Sequence, residues 1–511
     1  MPQTLVNLLS ASVKKFPDKE VIIHKGRRVS YSQLWNDVCH VSRYLQNQNI
    51  NAGDRVGILV ENSPEYIATY YGVLAAGGVA VGLNAAAKAR DLVNWLNHCD
   101  AKWLFVQSTH PELESISQVL NQEINIVNIG EHQSTLALSS TNWNGIVTQP
   151  VVTGSDVITD ISDSSQPAAI IYTSGTTGKP KGVTLSHRNL VANTESIVSY
   201  LDLCERDRIL NILPFHYSYG NSVMHTHLAV GGSLVLENSL MFPQKVLKKM
   251  EEEKVTGFSG VPSTYAILLS RTNLKDYDLS LVRYMTQAGG PMAPASVERF
   301  TSELPHVKFF VMYGQTEATA RLTYLPPDRL VEKLGSVGVA IPGVTIRICD
   351  EKGQEVKTGE TGEIQASGEN IMLGYWNDSD ATRQVIQDSW LHTGDLAHFD
   401  DDGYIFIDGR SSDMIKTGAN RVSPKEIEEV ILELEGVEEV AAVGVADDIL
   451  GQVIKAVLVV SPGATLEKRI VQAHCHKNLA QYKIPKFIDF VSELPKTSSG
   501  KVQRFMLQEH N

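Results

Sequence analysis

The stretch YTSGTTGKPKGVTLSH, Tyr172 to His187, packs three Gly, two Lys and six Ser or Thr into sixteen residues. Small residues let backbone N–H groups approach a ligand closely, hydroxyls donate hydrogen bonds and lysines add positive charge. Together these are the parts of a phosphate cradle. The P-loop pattern needs two glycines five apart, then Lys, then Ser or Thr. It is not met, because Gly175 and Gly178 are three apart and Pro180 follows Lys179. The same composition would serve a flexible surface linker. The setting favours phosphate. Ala168–Tyr172 (AAIIY) reads as a buried strand before the loop and RNLVANTESIVSYL reads as a helix after it, a strand–loop–helix arrangement.

At 511 residues the chain exceeds one ordinary core, so two or three domains are expected. With 42% hydrophobic and 20% charged residues it has the composition of a soluble globular protein. Its 45 basic and 58 acidic residues give a net charge of −13, which argues against nucleic acid or an anionic membrane as the main partner. A local cradle can still be positive, so ATP stays compatible. The five cysteines are scattered and form no CxxC, which fits free thiols in a reducing compartment. His474-Cys475-His476 reads as part of a surface helix rather than a metal cluster, since neighbours on a helix point apart. No run approaches the roughly 18–20 apolar residues that would span a bilayer. The N-terminus reads as an amphipathic helix rather than a signal peptide. A cytoplasmic protein without a transmembrane segment is expected.

Through the first 400 residues, strand-like runs such as RVGILVEN, KWLFVQ, INIVNI and GSLVLE alternate with helical patterns, which favours parallel sheets with helices on both faces. Tyr66 to Ala76 has helical spacing and stops at Gly77-Gly78. After about Gly343 short strands and turn dipeptides suggest a small β-rich subdomain. Asp402-Gly403 reads as a tight turn between two strands. Ser423, Pro424 and Glu426 read as an N-cap, a first-turn proline and a capping box opening a helix that ends near Gly436. The last hundred residues have their own βαβ-like pattern. A boundary is placed near Ser411–Ser412, giving domains 1–411 and 412–511.

Further clusters add chemistry. Tyr313-Gly314-Gln315-Thr316-Glu317 closes the apolar run VKFFVM, the strand end where α/β proteins bind ligands. There Tyr can stack on a base, Thr can meet phosphate and Glu can hold Mg²⁺, although a Tyr and a Glu around a Gly turn also serve structure. Asp395, in LHTGD, can accept hydrogen bonds from a ribose diol or form an Asx turn, with Arg410 beside the same sugar or its phosphate. His216, in LPFHYSYG, suits a pocket wall or simple packing. Lys501 follows a Ser-Ser-Gly turn and could equally be a solvated tail lysine.

Taken in order, YTSGTTGKPKG, YGQTE, HTGD, GRSSD and PKTSSGK, with the earlier YSQL and AAGGVAVGLN and the later GYW, resemble the signatures of the adenylate-forming superfamily over essentially the whole chain. That superfamily holds acyl- and aryl-CoA synthetases, nonribosomal adenylation domains and firefly-type luciferases. The resemblance implies an α/β fold: a large N-terminal domain of helix-flanked sheets with a small β-rich subdomain, and a small mobile α+β C-terminal domain. It implies a two-step reaction, in which a carboxylate and ATP give acyl-AMP and pyrophosphate and the acyl group then passes to a thiol. Carried over by position, Thr173, Ser174, Gly175, Thr176, Thr177 and Lys181 would hold the β- and γ-phosphates. Thr316 would meet the α-phosphate and Glu317 the Mg²⁺. Tyr313 with Ala288, Gly289 and Gly290 would frame adenine, and Asp395 and Arg410 would bind ribose. His216 would wall the acid pocket. Lys501 would bridge the carboxylate and the α-phosphate in the first step only.

Two positions depart from the family pattern. Ser412 stands at the hinge, where Asp or Lys is common. Ala419 follows Gly418, where relatives often have a second glycine beside the thiol's pantetheine arm. The thiol is therefore expected to be CoA or the phosphopantetheine of a carrier protein. Amino-acid-activating relatives place an Asp near His216, and PFHYSYG has none, which favours a fatty or aryl acid. His216–Asn221, Phe258-Ser259, Ala288–Gly290 and Met312–Gly314 are expected to line its pocket.

Overall fold

A computed structural model of the chain describes residues 3–119, 124–130, 140–148, 159, 163–174, 180–410, 413–417, 420–447, 451–461, 463–496 and 502–508. Among these residues the strands form four sheets. In an eight-stranded sheet, pairing is parallel from Pro167–Ser174 through Val79–Gly82, Arg55–Leu59, Ala101–Gln107 and Asn125–Ile129 to Ser140–Asn142. A nine-stranded sheet has a parallel centre of Arg208–Asn211, Ser233–Leu236, Gly257–Gly260, Tyr284–Gln287 and Lys308–Tyr313. Short apolar runs such as RVGIL and AAIIY suit this position because helices cover both faces of such strands. The largest apolar cluster draws Val56 and Ile171 from the first sheet and Ile209 and Leu234 from the second. Helices Tyr31–Asn47, Pro64–Ala75, His187–Leu201 and Ser218–Val230 contribute to the same cluster.

The strand–loop–helix expectation needs correction. Helix His187–Leu201 is present, but PKGVTLS forms the strand Pro180–Ser186, which pairs antiparallel with Pro167–Ser174. The glycine-rich run therefore joins two neighbouring strands of one sheet, and no helix N-terminus follows it directly to add its dipole to an anion. A polar loop between apolar runs marks a turn, but local pattern does not say whether the second run pairs back.

Beyond Gly343, Val344–Cys349, Gly362–Gly368, Trp390–Phe399, Ile386–Gln387 and Ile405–Arg410 form the expected small antiparallel sheet. Its turn is at Asp402-Gly403, where Gly403 has φ +79°, a conformation that disfavours other residues. The fourth sheet holds Ile415–Thr417, Asn420–Val422, Val437–Asp447, Gly451–Val460 and Phe487–Val491. The last two run parallel with helix Lys468–Asn478 between them in sequence, so the βαβ pattern is realised. Ile415, Ile427, Leu458, Val471 and Cys475 give this part its own core.

Helix Pro424–Leu432 does have Ser423 before it and Pro424 first, but no capping box forms. The Ser423 hydroxyl donates to the carbonyl of Asp408, and the carboxylate of Glu426 accepts from Lys483 at 2.7 Å. Tertiary partners have outcompeted the local cap. Cys475 is buried, His474 faces Glu433 at 3.1 Å and His476 is exposed, so the three neighbouring side chains have different surroundings.

Candidate functional site

The site is built where the parallel strands of the nine-stranded sheet end. Tyr284–Gln287 and Lys308–Tyr313 lie side by side, so Ala288-Gly289-Gly290 and Tyr313-Gly314 leave the sheet together. Gln287 steadies the first turn by donating its Nε2 to the Gly290 carbonyl at 2.7 Å. Gly314 admits no side chain, since a Cβ there would stand 2.2 Å from the Ala320 carbonyl oxygen. This close approach folds Thr316–Ala318 into a short 3₁₀ turn. It also sets Thr316 Oγ1 3.2 Å from the hydroxyl of Ser218, at the start of helix Ser218–Val230.

Two polar relays radiate from that turn. In the first, Tyr313 donates its hydroxyl to Asp395 Oδ2 at 2.6 Å, and Arg410 donates Nε to Asp395 Oδ1 at 2.9 Å. Asp395 and Arg410 are register partners in the small antiparallel sheet, which explains how two residues fifteen apart meet. Asp395 is 5% exposed, and each of its oxygens keeps a second lone pair for a ligand hydroxyl. Burial, and then the neighbouring carboxylate, hold the Tyr313 phenol well above its ordinary pKa. The Asp395 charge raises the Arg410 guanidinium further still. Tyr313 is therefore a neutral donor and Arg410 a cation at neutral pH.

In the second relay Tyr375, on the short edge strand Gly374–Tyr375, pairs through its backbone with Val183 of Pro180–Ser186. Its hydroxyl donates to Glu317 Oε1 at 2.9 Å, while Lys181 Nζ stands 4.6 Å above its ring. The glycine-rich hairpin and the YGQTE turn are thus joined through one aromatic side chain. Burial, and then the Glu317 charge, raise the Tyr375 pKa, so this phenol stays a donor. The GYW segment entered the sequence reading only as a matching motif and no role was assigned to Tyr375. An aromatic residue between a glycine and an apolar partner was the available signal.

Glu317 is suited to Mg²⁺ in a particular way. Among the described residues no three His, Cys, Asp or Glu side chains cluster as a metal site. One carboxylate supplemented by phosphate oxygens is the usual arrangement for Mg²⁺, which keeps waters and binds with its nucleotide.

His216 precedes the helix that begins at Ser218. Its Nε2 is buried without a hydrogen-bond partner among the described residues, its ring lies 4.2 Å from that of Tyr217, and desolvation pushes its pKa down to about 3. At neutral pH it is an uncharged imidazole, fit for a wall or a neutral hydrogen-bond partner. A cavity of about 10 Å³, the room of about one water, lies along the same helix. Its lining includes Tyr219, Ser222, Ser259, Thr286, Met312 and Arg321. Tyr219, Ser259 and Met312 were expected there. His216, Tyr217, Ser218, Gly220, Asn221, Ala288–Gly290, Tyr313 and Gly314 do not line it, and neither does Phe258: strand alternation turns it to the opposite face, where it packs against Tyr265. Arg321, Ser222 and Thr286 escaped the sequence reading because motif positions, rather than the helix face and the neighbouring strand, defined the expected pocket.

Thr173 pairs with Lys181 across the hairpin. Gly175, Thr176, Thr177, Ser412, Ala419 and Lys501 lie outside the described residues, as does the side chain of Ser174. Among the described residues no helix is long and apolar enough to cross a membrane.

A family model for AMP-binding enzyme matches residues 9–376, and one for AMP-binding enzyme C-terminal domain matches residues 426–501. The chain is similar to the long-chain-fatty-acid–CoA ligase of Bacillus subtilis (strain 168), 31% identical over 99% of this chain and 94% of the relative. It is similar to the feruloyl-CoA synthase of Amycolatopsis sp., 32% identical over 95% of this chain and 94% of the relative. Its fold matches the crystal structure of an anthranilate CoA ligase in complex with anthranoyl-AMP. That match has a TM-score of 0.90 and 29% identity, covering 99% of this chain and 97% of the other.

Proposed function

The chain belongs to the AMP-binding enzyme family of adenylate-forming proteins, and from that premise we propose how its residues divide the work. It is an AMP-forming acid–CoA ligase that consumes ATP. In the first step a carboxylate oxygen attacks the α-phosphorus, the bond to the bridging oxygen breaks and pyrophosphate leaves. In the second, the CoA sulfur attacks the acyl carbon, AMP departs with the bonding pair and the thiol proton goes to solvent. AMP is a far better leaving group than oxide, which is why the acid is activated first.

Asp395 and Arg410 hold the ribose, and Tyr313 offers its ring to adenine beside Ala288–Gly290 while its hydroxyl fixes Asp395. Thr173, Ser174, Gly175, Thr176, Thr177 and Lys181 receive the β- and γ-phosphates, and Thr316 the α-phosphate. Glu317 would hold Mg²⁺, which when bound neutralises phosphate charge. Lys501 supplies a compact ammonium between carboxylate and α-phosphate, offsetting charge that grows on five-coordinate phosphorus. Residues 1–411 carry nucleotide and acid, and residues 412–511 carry Lys501 and turn about Ser412 between the steps. His216, neutral, walls the acid pocket. The acid is fatty or aryl, without an α-amino group, because the cavity lining contains no acidic side chain to pair an ammonium.

The observation that carries this reading is the pair of relays, Tyr313–Asp395–Arg410 and Lys181–Tyr375–Glu317, meeting at one strand end. The test is pyrophosphate release from ATP across fatty, aryl and amino acids, with and without CoA. Acid-dependent release that becomes multi-turnover with CoA is expected. Release that stays near one turnover, with bound adenylate and no acyl-CoA, would transfer the second step to a carrier-protein thiol.

A further inference from the structure

Arg321, four residues beyond Glu317, is 3% exposed and lines the cavity. Its guanidinium lies 4.1 Å over the Tyr219 ring, and Nη1 donates to the Ala320 carbonyl at 3.0 Å. Its Nε is buried and has no acceptor among the described residues, and no carboxylate is paired with it there. By contrast Arg283 faces Asp207 at 2.6 Å, Arg410 faces Asp395 at 2.9 Å and Arg504 faces Glu428. An arginine does not shed its charge in a protein, so a buried one without an anion is destabilising until something supplies one.

The surroundings say what could. Tyr200, also on the cavity wall, donates its hydroxyl to Met312 Sδ at 3.0 Å, a thioether that accepts weakly. The other nearby hydroxyls are occupied with one another: Tyr219 with Thr286 Oγ1 at 2.7 Å and Ser259 with Thr286 at 2.8 Å. The Tyr200 and Tyr219 hydroxyls also reach the guanidinium, but neither carries a charge to offset it, and no acidic residue lines the cavity. A carboxylate is acceptor-only, and its geometry matches the guanidinium fork. An ammonium would be repelled. With the room of about one water, the cavity takes no long chain, and a terminal group enters only by displacing that water and shifting the lining.

We infer that the acid taken by this enzyme is a compact dicarboxylic acid, aliphatic or aryl, whose second carboxylate is received by Arg321. This rests on the acid–CoA ligase reading and names the substrate class of the same pocket. The reacting carboxylate goes to the nucleotide and the distal one to Arg321, so Arg321 selects the substrate without taking part in bond-making.

The test uses the full chain and matched acids, hexanoate against adipate and benzoate against isophthalate, with pyrophosphate release as readout. For the wild type, kcat/KM is expected to favour the diacid of a pair by about tenfold to a hundredfold, the range for a hydrogen-bonded charged group. Arg321→Met should erase or reverse that preference while retaining turnover of the monoacid. Arg321→Lys, which keeps charge but loses the fork, should fall between. In parallel, the diacid with AMP should raise the thermal midpoint of the wild type but not of Arg321→Met. A wild type that uses monoacids and ignores diacids would overturn the inference while leaving the ligase reading intact. So would equal losses on both acids of a pair in Arg321→Met, which would mean that the guanidinium serves the reacting carboxylate or the fold. No release with any acid would defeat the ligase reading, and the inference with it.

Discussion

The end of the site proposed to hold the nucleotide and the end proposed to hold the acid are built on opposite plans. Around Asp395 both carboxylate oxygens already have protein donors, Tyr313 and Arg410, and these three side chains come from three different strands. Around the cavity, Arg321 Nε is buried and without a partner among the described residues. A group whose partners are satisfied by the protein is held in place before the ligand arrives, and little ordering remains to be done on binding. A group left wanting is stabilised only by the right ligand, and an analogue lacking the complementary atom is penalised. The first plan suits a substrate that never changes, ATP. The second suits the part of the reaction where one ligase must differ from another.

The strongest way to test the division is to remove the cation proposed for one step alone. Lys501→Ala is expected to slow acyl-adenylate formation by about a hundredfold to a thousandfold, the scale for losing a positioned charge-stabilising donor. Thioester formation from preformed acyl-AMP should be far less affected. Equal losses in both half-reactions would sink the role assigned to Lys501.

Next comes the preorganised end. Asp395→Ala strands Arg410 and Tyr313 and should raise the KM for ATP by about tenfold to a hundredfold. The relative preference among acids should not move, because the cavity proposed for the acid is not lined by Asp395. A shift in acid preference measured in the same assay would show that the two ends are coupled.

Buried histidines give a pH test of stability. Burial lowers the pKa to about 3 in His216 and His225 and to about 4 in His187 and His227. Each folded-state value is depressed below the unfolded value near 6.5, so between the two the unfolded chain binds more protons. Stability contributed by the neutral rings is therefore present above about pH 6.5 and is lost as pH falls below it. The expected slope is about 1.4 kcal/mol per pH unit for each histidine in that window, read by urea unfolding at pH 7.5 and 5.5. If stability stays flat across that interval, these rings are not buried neutral. Activity between pH 6.5 and 8 should owe nothing to titration of His216.

The smallest effect belongs to the relay that joins the two motifs. Tyr375→Phe removes only the hydroxyl on Glu317 and leaves the ring beneath Lys181. A loss of about threefold to tenfold in kcat/KM for ATP is expected, the scale of one hydrogen bond to a charged group. The Mg²⁺ concentration giving half-maximal rate should rise with it. An unchanged Mg²⁺ dependence would separate Tyr375 from the metal role proposed for Glu317.

What was legible in the chain followed from what local order encodes. Apolar runs of strand length, their alternation with helical patterns and the turn at Asp402-Gly403 depend on neighbours in sequence, and the sheets formed as read. Signature motifs brought Thr316, Glu317, Asp395 and Arg410 to notice because each sits in a short contiguous pattern. The misreadings share a cause. Pro180–Ser186 was passed over as a strand and the Ser423–Glu426 box did not close, because distant partners, Pro167–Ser174 in one case and Asp408 and Lys483 in the other, decided the outcome. Phe258 was placed in the pocket because position along the strand was read without the direction of its side chain.

The amino-acid sequence by itself determined the class of fold, the order of its motifs and the nucleotide chemistry those motifs serve, since all of these are written in runs a few residues long. The tertiary structure alone decided that Asp395 meets Tyr313 across 82 positions, that Tyr375 joins Lys181 to Glu317, and that Arg321 is buried without an anion. Charge pairing and burial are properties of distance in space, and a chain folded into four sheets brings together residues whose separation in sequence carries no trace of the encounter.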